Sequence, residues 1–447
     1  MRQCGTGSNI RETMTLITGL IFLLPAALTA ADKTLTLGQA PGAGQAAAPS
    51  DALNIEDAVQ IALKNHPRIR SASERIGAQR AVVGQEMSAY YPTITLNNFY
   101  QSSAAGGGNN AVDALATTGN FDITLYNFGK REAAVQSARE TLESTRYVHR
   151  TVINDVIFGA KEAYYIYLAA RALVRVREET VKDRELLVRQ ARGFFEVGTR
   201  PKIDVARAES NLFSAQADLI AAQNDVKIAW ATLKNNLGVR DFPERPLVED
   251  LSMAPVAMTM EQAKKDAHQI RPELFDFGAQ RRARDQDIAE ARRGHLPDIL
   301  FHGDYGRRNN AGAGNFPLQP GWAARVSLNI PIFSGFNQTY RVEETLRNYH
   351  IVRAQEEEQR QQIDLEVEQS YLRVVESLER VKATEAAERA AKENLDLAQG
   401  RYQVGVGSII EITDAQTVYT DAQTNQIRSI YGYKIAQAQL GRAIGRP

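Results

Sequence analysis

Cysteine is almost missing from this sequence: Cys4 is the one example in 447 residues. Net charge is missing altogether, with 53 Lys+Arg against 53 Asp+Glu. A zero balance excludes a general nucleic-acid binder, which needs a basic excess. It equally excludes an acidic disordered chain. Long apolar runs are lacking beyond the N-terminus, and the mean hydropathy is −0.35. That excludes a bundle of membrane-spanning helices, each of which needs about 20 apolar residues. The six His residues are scattered and none has metal-ligand spacing. No P-loop, Ser/His/Asp or Cys/His pattern occurs. The sequence therefore points to no enzyme, no metal and no cofactor.

The N-terminus has the grammar of a secretory signal. Arg2 and Arg11 precede the apolar stretch Met14 to Leu28, which Pro25 interrupts, and small residues follow at Thr29, Ala30 and Ala31. Residues 1–30 are expected to be removed. Cys4 leaves with them, so the mature chain is expected to carry no disulfide, no thiol chemistry and no N-terminal lipid anchor. Residues 31–52, rich in Gly, Ala, Gln and Pro, read as a flexible leader.

The rest of the chain repeats itself. The stretch from Ile55–Glu56–Asp57–Ala58 to Pro67 recurs as Met260–Glu261–Gln262–Ala263 to Pro272, an offset of 205. Tyr91–Pro92–Thr93–Ile94 recurs at the same offset as Leu296–Pro297–Asp298–Ile299. Gly129 matches Gly335, Val197–Gly198 matches Val404–Gly405, and Leu233 and Gly238 match Leu440 and Gly445, with the offset drifting to 207. Landmarks in one order with so little drift mark an internal duplication. The expected organisation is a first repeat over 53–240, a linker over 241–257 and a second repeat over 258–447.

Each repeat reads as a short helix, a longer helix, two strands, a very long helix, a sharp break and a return helix. The expected strands are Thr93–Tyr100 and Asn120–Tyr126, then Ile299–Tyr305 and Trp322–Ile330. The tract Gln101–Thr118, with Gly106–Gly107–Gly108, reads as a polar surface loop. Phe121, Ile123 and Leu125 alternate with Asn120, Asp122 and Thr124. Trp322, Ala324, Val326, Leu328 and Ile330 alternate with Ala323, Arg325, Ser327 and Asn329. Period-two alternation of this kind suits a barrel wall with lipid on one face and water on the other, or the edge of a soluble sandwich. Tyr90, Tyr91, Tyr100 and Trp322 lie near strand ends, which suits aromatic girdles and ordinary sheet positions equally. His302 and Asp304, two apart on a strand, are placed near the outer face.

Proline is absent from Gly129 to Pro201, and Gly and Pro are both absent from Gly335 to Gly400. These tracts are rich in Ala, Glu, Arg, Gln and Leu. A helix from Gly129 to Val197 would be about 100 Å long. Such helices must pack lengthwise, and the Ala, Ser and Thr of the return helices, Ile203–Leu237 and Ile410–Ile444, allow close approach. Glu356–Glu357–Glu358 reads as a solvated stretch. Four strands cannot close a membrane barrel, which needs at least about eight, and an open edge facing lipid is not viable. Strands in a membrane would therefore have to share a barrel between chains.

The chain resembles the TolC family of outer-membrane efflux and type I secretion channels. The resemblance is carried by the duplication, the Asn65–His66–Pro67 break, and the strand-to-helix tracts Leu125–Tyr126–Asn127–Phe128–Gly129–Lys130 and Pro331–Ile332–Phe333–Ser334–Gly335. The turn motifs Val197–Gly198–Thr199 and Tyr402 to Ala415 add to it. It implies an α+β fold of mostly long helices in a homotrimer, with four strands per chain in a shared twelve-stranded barrel. Below the barrel would lie a periplasmic helical tunnel, with a belt formed partly by residues near 240–260 and the C-terminus. The implied function is a passive exit duct in the outer membrane, working with a periplasmic adaptor and an inner-membrane pump of RND or ABC type. A soluble periplasmic coiled-coil scaffold is the alternative.

The candidate functional residues lie at the two helix breaks. Gly198 and Gly405 suit a left-handed residue ending one helix, and Pro201 and Ser408 suit the start of the next. In the resembled family such tips meet the adaptor, which here implies Val197–Gly198–Thr199 and Val404–Gly405–Val406. Glu411 and Asp414, at i and i+3, share a helix face just inside the tip. The resemblance implies that carboxylates there ring the tunnel entrance and favour cations. It also implies that Asp204, the counterpart of Glu411, joins Tyr402 and an Arg in a closing network. The expected Arg position is Gly407 in this chain, so Arg200 or Arg207 would have to substitute.

Overall fold

The computed structural model describes residues 52–104, 111–253, 255–309 and 318–447. The expected signal, nearly all of the leader, Cys4 and Gly106–Gly107–Gly108 fall outside the described residues. The first repeat gives α1 (Ile55–Asn65), α2 (Pro67–Met87), β1 (Thr93–Ala104), β2 (Ala111–Tyr126), α3 (Lys130–Glu196) and α4 (Lys202–Leu237). The second gives α5 (Met260–Ile270), α6 (Pro272–Arg293), β3 (Asp298–Arg308), β4 (Gln319–Asn329), α7 (Asn337–Gln403) and α8 (Ile409–Ile444). Helices α3 and α7 each have 67 residues, and α4 and α8 each have 36.

The break between the first two helices of each repeat follows from proline, which lacks an N–H and bars the preceding residue from helical geometry. His66 and Arg271 accordingly lie at ψ +124. Each break is packed against the glycine that ends its repeat. Gly238 has φ +70, and a Cβ built on it would lie 2.6 Å from His66 Cα. Only glycine fits that approach and that conformation together.

Helix α3 is the spine. Along the lower body it packs between α4 and α8, and α8 packs on α7. Higher up it packs between α2 and α6, with α6 reaching α7. The order α4–α3–α8–α7 leaves α4 and α7 as the outer helices of the layer. Three apolar clusters hold it. One joins α1, α3 and α4 around Tyr164, Tyr167, Leu233 and Leu237. A second joins α5, α7 and α8 around Ile363, Val367 and Tyr433. The third ties the two lower hairpins together around Leu187, Leu395, Tyr402 and Ile412.

The segment between the repeats crosses the layer as a strap. Leu53 and Leu247 form a parallel bridge, and Tyr164 donates its hydroxyl to the carbonyls of Leu53 and Val248. Arg175 pairs with Glu249 at 2.9 Å, and the Lys434 ammonium donates to the Ser252 carbonyl. Glu356 corrects the reading of its triplet as solvated. It is buried, between Arg360 at 2.8 Å and Arg281 at 3.3 Å, because its face of α7 packs on α6, while Glu357 and Glu358 are exposed.

The four strands form one antiparallel sheet in the order β1-β2-β3-β4, so β1 and β4 each keep an open edge. The strands run further than expected. β1 continues to Ala104 and β2 begins at Ala111, which removes most of the loop assigned to 101–118. Ladder bonds belong to the backbone, so pairing extends past the apolar band into polar sequence. Gly306 is required by the sheet itself: a Cβ there would lie 2.2 Å from the Thr117 carbonyl oxygen.

Register sorts the side chains. Ile94, Phe121, Phe301, Tyr305, Trp322 and Val326 share one face, through rows such as Leu96–Gly119–Tyr305–Trp322. Ile94 and Trp322 are each 77% exposed on it. The other face carries the row Thr93–Asp122–His302–Arg325. His302 and Asp304 therefore stand on the polar face, not the outer one. His302 Nδ1 lies 2.6 Å from Asp122, and Arg308 bonds Asp304. Among the described residues, no helix is long and apolar enough to cross a membrane.

Candidate functional site

The two lower hairpins end in matching turns. Gly198 has φ +76 and Gly405 φ +82, the left-handed geometry that closes a helix C-terminus. In the first turn, Gly198 and Thr199 donate N–H bonds to the Phe195 and Phe194 carbonyls. In the second, Gly405 and Val406 donate to Tyr402 and Arg401. Ser408 caps α8, its hydroxyl accepting from the Glu411 N–H at 3.2 Å, whereas Pro201 takes the cap position of α4 without a side-chain bond. Val197 and Val404 are 71% and 75% exposed, and Val406 is exposed beside them. Both tips thus present bare apolar side chains outward.

Tyr402 sits between the hairpins, fully buried, with Phe194 edge-on at 5.6 Å. Asp204, 8% exposed, lies on the third residue of α4, as Glu411 does on α8. Burial, and then the nearby Asp204 charge, push the Tyr402 phenol above its ordinary value, with Arg200 opposing. The Tyr402 hydroxyl has no hydrogen-bond partner among the described residues. A single chain thus places Asp204 near Tyr402 without joining them.

Arg200 makes the connection between hairpins. Its Nη2 donates to the Gly405 carbonyl at 3.0 Å and to the Gly407 carbonyl at 2.6 Å. Its guanidinium lies 5.5 Å above the centre of the Tyr402 ring. By the repeat offset of 207, Arg200 is itself the counterpart of Gly407. A side chain at 407 would strike the end of α7, since a Cβ there would lie 2.9 Å from the Tyr402 nitrogen. The arginine therefore stands in the first turn and grips the second. Arg207 is exposed on α4 and makes no ion pair among the described residues.

Glu411 and Asp414 are both exposed on one face of α8. Glu411 carries its own counter-ion, Arg401, at 2.9 Å, while Asp414 has none among the described residues. Sequence reasoning missed Arg401, and also a polar seam further up. Arg184 is buried between α3 and α8, donating to Thr417 at 3.0 Å. Its other terminal nitrogen, the Thr413 hydroxyl and the Gln416 side-chain amide oxygen Oε1 have no partner among the described residues. Burial pulls the Arg184 pKa down, opposed by Asp183, and pushes the Asp183 carboxyl up, helped by Glu179. The α8 hydroxyls of Thr417, Thr420 and Thr424 bond their own helix at i−4. Thr417 and Thr420 also meet α3, through Arg184 and the Thr180 hydroxyl. A lone Arg inside a long helix gives no sign in sequence of which face it occupies.

The model of the outer membrane efflux protein family matches residues 58–239 and 264–446, one match per repeat. The outer membrane protein TolC of Vibrio cholerae is 23% identical over 402 residues, covering 88% of this chain and 90% of that protein. The probable efflux pump outer membrane protein TtgC of Pseudomonas putida is 23% identical over 414 residues, covering 88% and 82%. Among solved structures, the Campylobacter jejuni CmeC outer membrane channel superposes with a TM-score of 0.76 at 16% identity, covering 88% of this chain and 85% of that one.

Proposed function

The chain belongs to the outer membrane efflux protein family, and from that premise we propose that it is the outer-membrane exit duct of a tripartite efflux or type I secretion system. It conducts and does not catalyse. A periplasmic adaptor docks on the hairpin tips and an inner-membrane pump supplies the energy.

The observation that carries this reading is the sheet. One face of four antiparallel strands is apolar and bare, and both edges are open. A soluble protein rarely exposes such a surface, and open edges invite pairing. Three copies joined β4 to β1 close a twelve-stranded barrel with lipid outside and the Asp122–His302–Arg325 row inside. The helical layer supports the same assembly. Its free helices α4 and α7 expose Phe213, Ile220 and Ile228 on one side and Leu365, Leu372 and Leu397 on the other. The periplasmic scaffold reading leaves these surfaces without a role.

At the lower end, the Arg200 clamp holds the two hairpins of each chain together in the closed state. Asp204 and Tyr402 form its buried flank, and Glu411 and Asp414 set the charge of the entrance. Arg401 beside Glu411 leaves Asp414 as the stronger attractor of cations there.

The test is the native mass and membrane location of the mature protein, extracted from outer membranes in mild detergent. A heat-labile trimer in that fraction is expected. A soluble periplasmic monomer or dimer would overturn the duct and the barrel together.

A further inference from the structure

Below the strap, the packing line between α3 and α8 changes from apolar to polar and back. Above the change, Leu168 and Ala172 of α3 join Tyr431 of α8 in the first apolar cluster. Below it, Leu187 and Val188 join Ile409 and Ile412 in the third. Between the two stand Thr180 and Arg184 on α3, and Thr424, Thr420 and Gln416 on α8. Arg184 and the three α8 side chains are buried. A small cavity sits in this polar layer, and Thr180, Arg184, Gln416 and Thr420 line it.

The lining has more hydrogen-bonding capacity than the two helices use. Arg184 spends Nη2 on Thr417, while Nη1, a donor, has no partner among the described residues. Gln416 Oε1, an acceptor, has none either. The Thr180 and Thr420 hydroxyls lie 3.3 Å apart. Each also reaches a carbonyl of its own helix, Val176 at 2.8 Å for Thr180 and Gln416 at 2.9 Å for Thr420. A hydroxyl has a single hydrogen. With both hydrogens in those shorter bonds, the pair is left as two acceptors. A buried polar group without a partner costs about 1–3 kcal/mol, and a charged one costs more.

We infer that this layer binds one water molecule that bridges α3 to α8, accepting from Arg184 Nη1 and donating to Gln416 Oε1 and to a threonine oxygen. The lining selects water by its chemistry. A cation would meet the Arg184 guanidinium, and an anion would meet the Asp183 and Glu179 carboxylates, which also line the cavity. A neutral ligand here must both donate and accept. The space open to the centre of a water molecule is about 20 Å³, and one water needs about 10–15 Å³ on that measure. A buried water typically makes about three bonds, the number this lining offers. The layer is then a wet joint between two dry ones. On the duct reading, opening parts α3 from α8 below the strap. Parting a wet layer replaces bound water by tunnel water and exposes little apolar surface. Resistance to opening therefore falls on the dry cluster around Leu187 and Ile412. That last step depends on the proposed function; the water site itself does not.

The test is X-ray hydroxyl-radical footprinting of the mature protein in mild detergent, read by mass spectrometry. The beam makes radicals from bound as well as bulk water, so a buried side chain beside a bound water is oxidised. Leu395 lines the cavity and Leu440 lies in the second apolar cluster, and both are 5% exposed. Leu395 should be oxidised several-fold faster than Leu440. Arg184→Met combined with Gln416→Leu should bring Leu395 down to the Leu440 rate. Gln416→Leu alone keeps the Arg184 charge and should bring it part of the way. Leu440 should keep its wild-type rate in both variants, which reports that they are folded. Equal rates at Leu395 and Leu440 in the wild type would overturn the site. So would an unchanged Leu395 rate in both variants, since the radicals would then come from the bulk. A failed trimer or absent conductance would strike the duct reading and leave the footprint standing.

Discussion

Replacing Arg200 with Met removes a clamp while keeping most of the side-chain stem. The wild-type guanidinium makes two bonds to backbone carbonyls of the other hairpin, at 3.0 and 2.6 Å. A hydrogen bond involving a charged group contributes about 1.5–3 kcal/mol. Arg200 is only half-buried, so the low end applies, and the two bonds share one nitrogen. Stacking over Tyr402 adds about 0.5–1 kcal/mol. The clamp then amounts to about 2–2.5 kcal/mol per chain, or about 30–70-fold in the balance between joined and parted hairpins. Single-channel recording in planar bilayers reads that balance as the occupancy and conductance of the resting state. Arg200→Met should raise resting conductance steeply, and Arg200→Lys should fall between, because it keeps the charge and loses the fork. A double-mutant cycle with Tyr402→Leu separates the stacking contribution, which should appear as a coupling of about 0.5–1 kcal/mol. An Arg200→Met protein that assembles normally and keeps wild-type resting conductance would refute the clamp.

Other expectations follow from the same geometry. Asp204→Ala should raise the conductance of the closed channel, and an unchanged value would remove its gating role. Arg184→Met should favour the joined seam by replacing an underpartnered buried charge with an apolar side chain. It should lower resting conductance and raise the thermal midpoint; a destabilised protein would contradict that reading. Gly238→Ala should cost about 2 kcal/mol or more in unfolding free energy, from the left-handed backbone and from contact with His66. A wild-type denaturant midpoint would argue against this. Burial works to raise the Glu273 carboxyl, but its hydrogen bond to and charge from Arg271 win, and its pKa is lowered. Its contribution is therefore present at neutral pH and lost as pH falls below the ordinary carboxylate range. Glu273→Gln should flatten the acid limb of the stability profile, and an unaltered limb would show that the pair is not responsible.

Much of the architecture was legible in the residues. Pro67 and Pro272 could not lie inside a helix, so the breaks at His66 and Arg271 were readable. The proline-free tracts could hardly be anything but the two 67-residue helices. Gly198 and Gly405 were recognisable because a left-handed helix end selects glycine, and the pattern occurs twice. Strand ends were not legible, since backbone pairing carries β1 and β2 through polar residues that resemble a loop. Glu356 was misjudged for a related reason: three successive glutamates point in three directions around α7, and only the position of α6 decides which one is covered.

The sequence alone therefore determined the repeat, the kinds and order of elements, the turn glycines and the apolar alternation of the strands. These depend on local backbone chemistry and on period, which a linear pattern carries in full. Tertiary structure alone decided that Arg200 reaches Gly407 across the hairpins and that Arg401 neutralises Glu411. It also decided that His302 joins Asp122 on the polar face. Each of these is a meeting of side chains from different helices or strands. Such meetings depend on helix rotation and strand register, and a shift of a single residue would bring different side chains together.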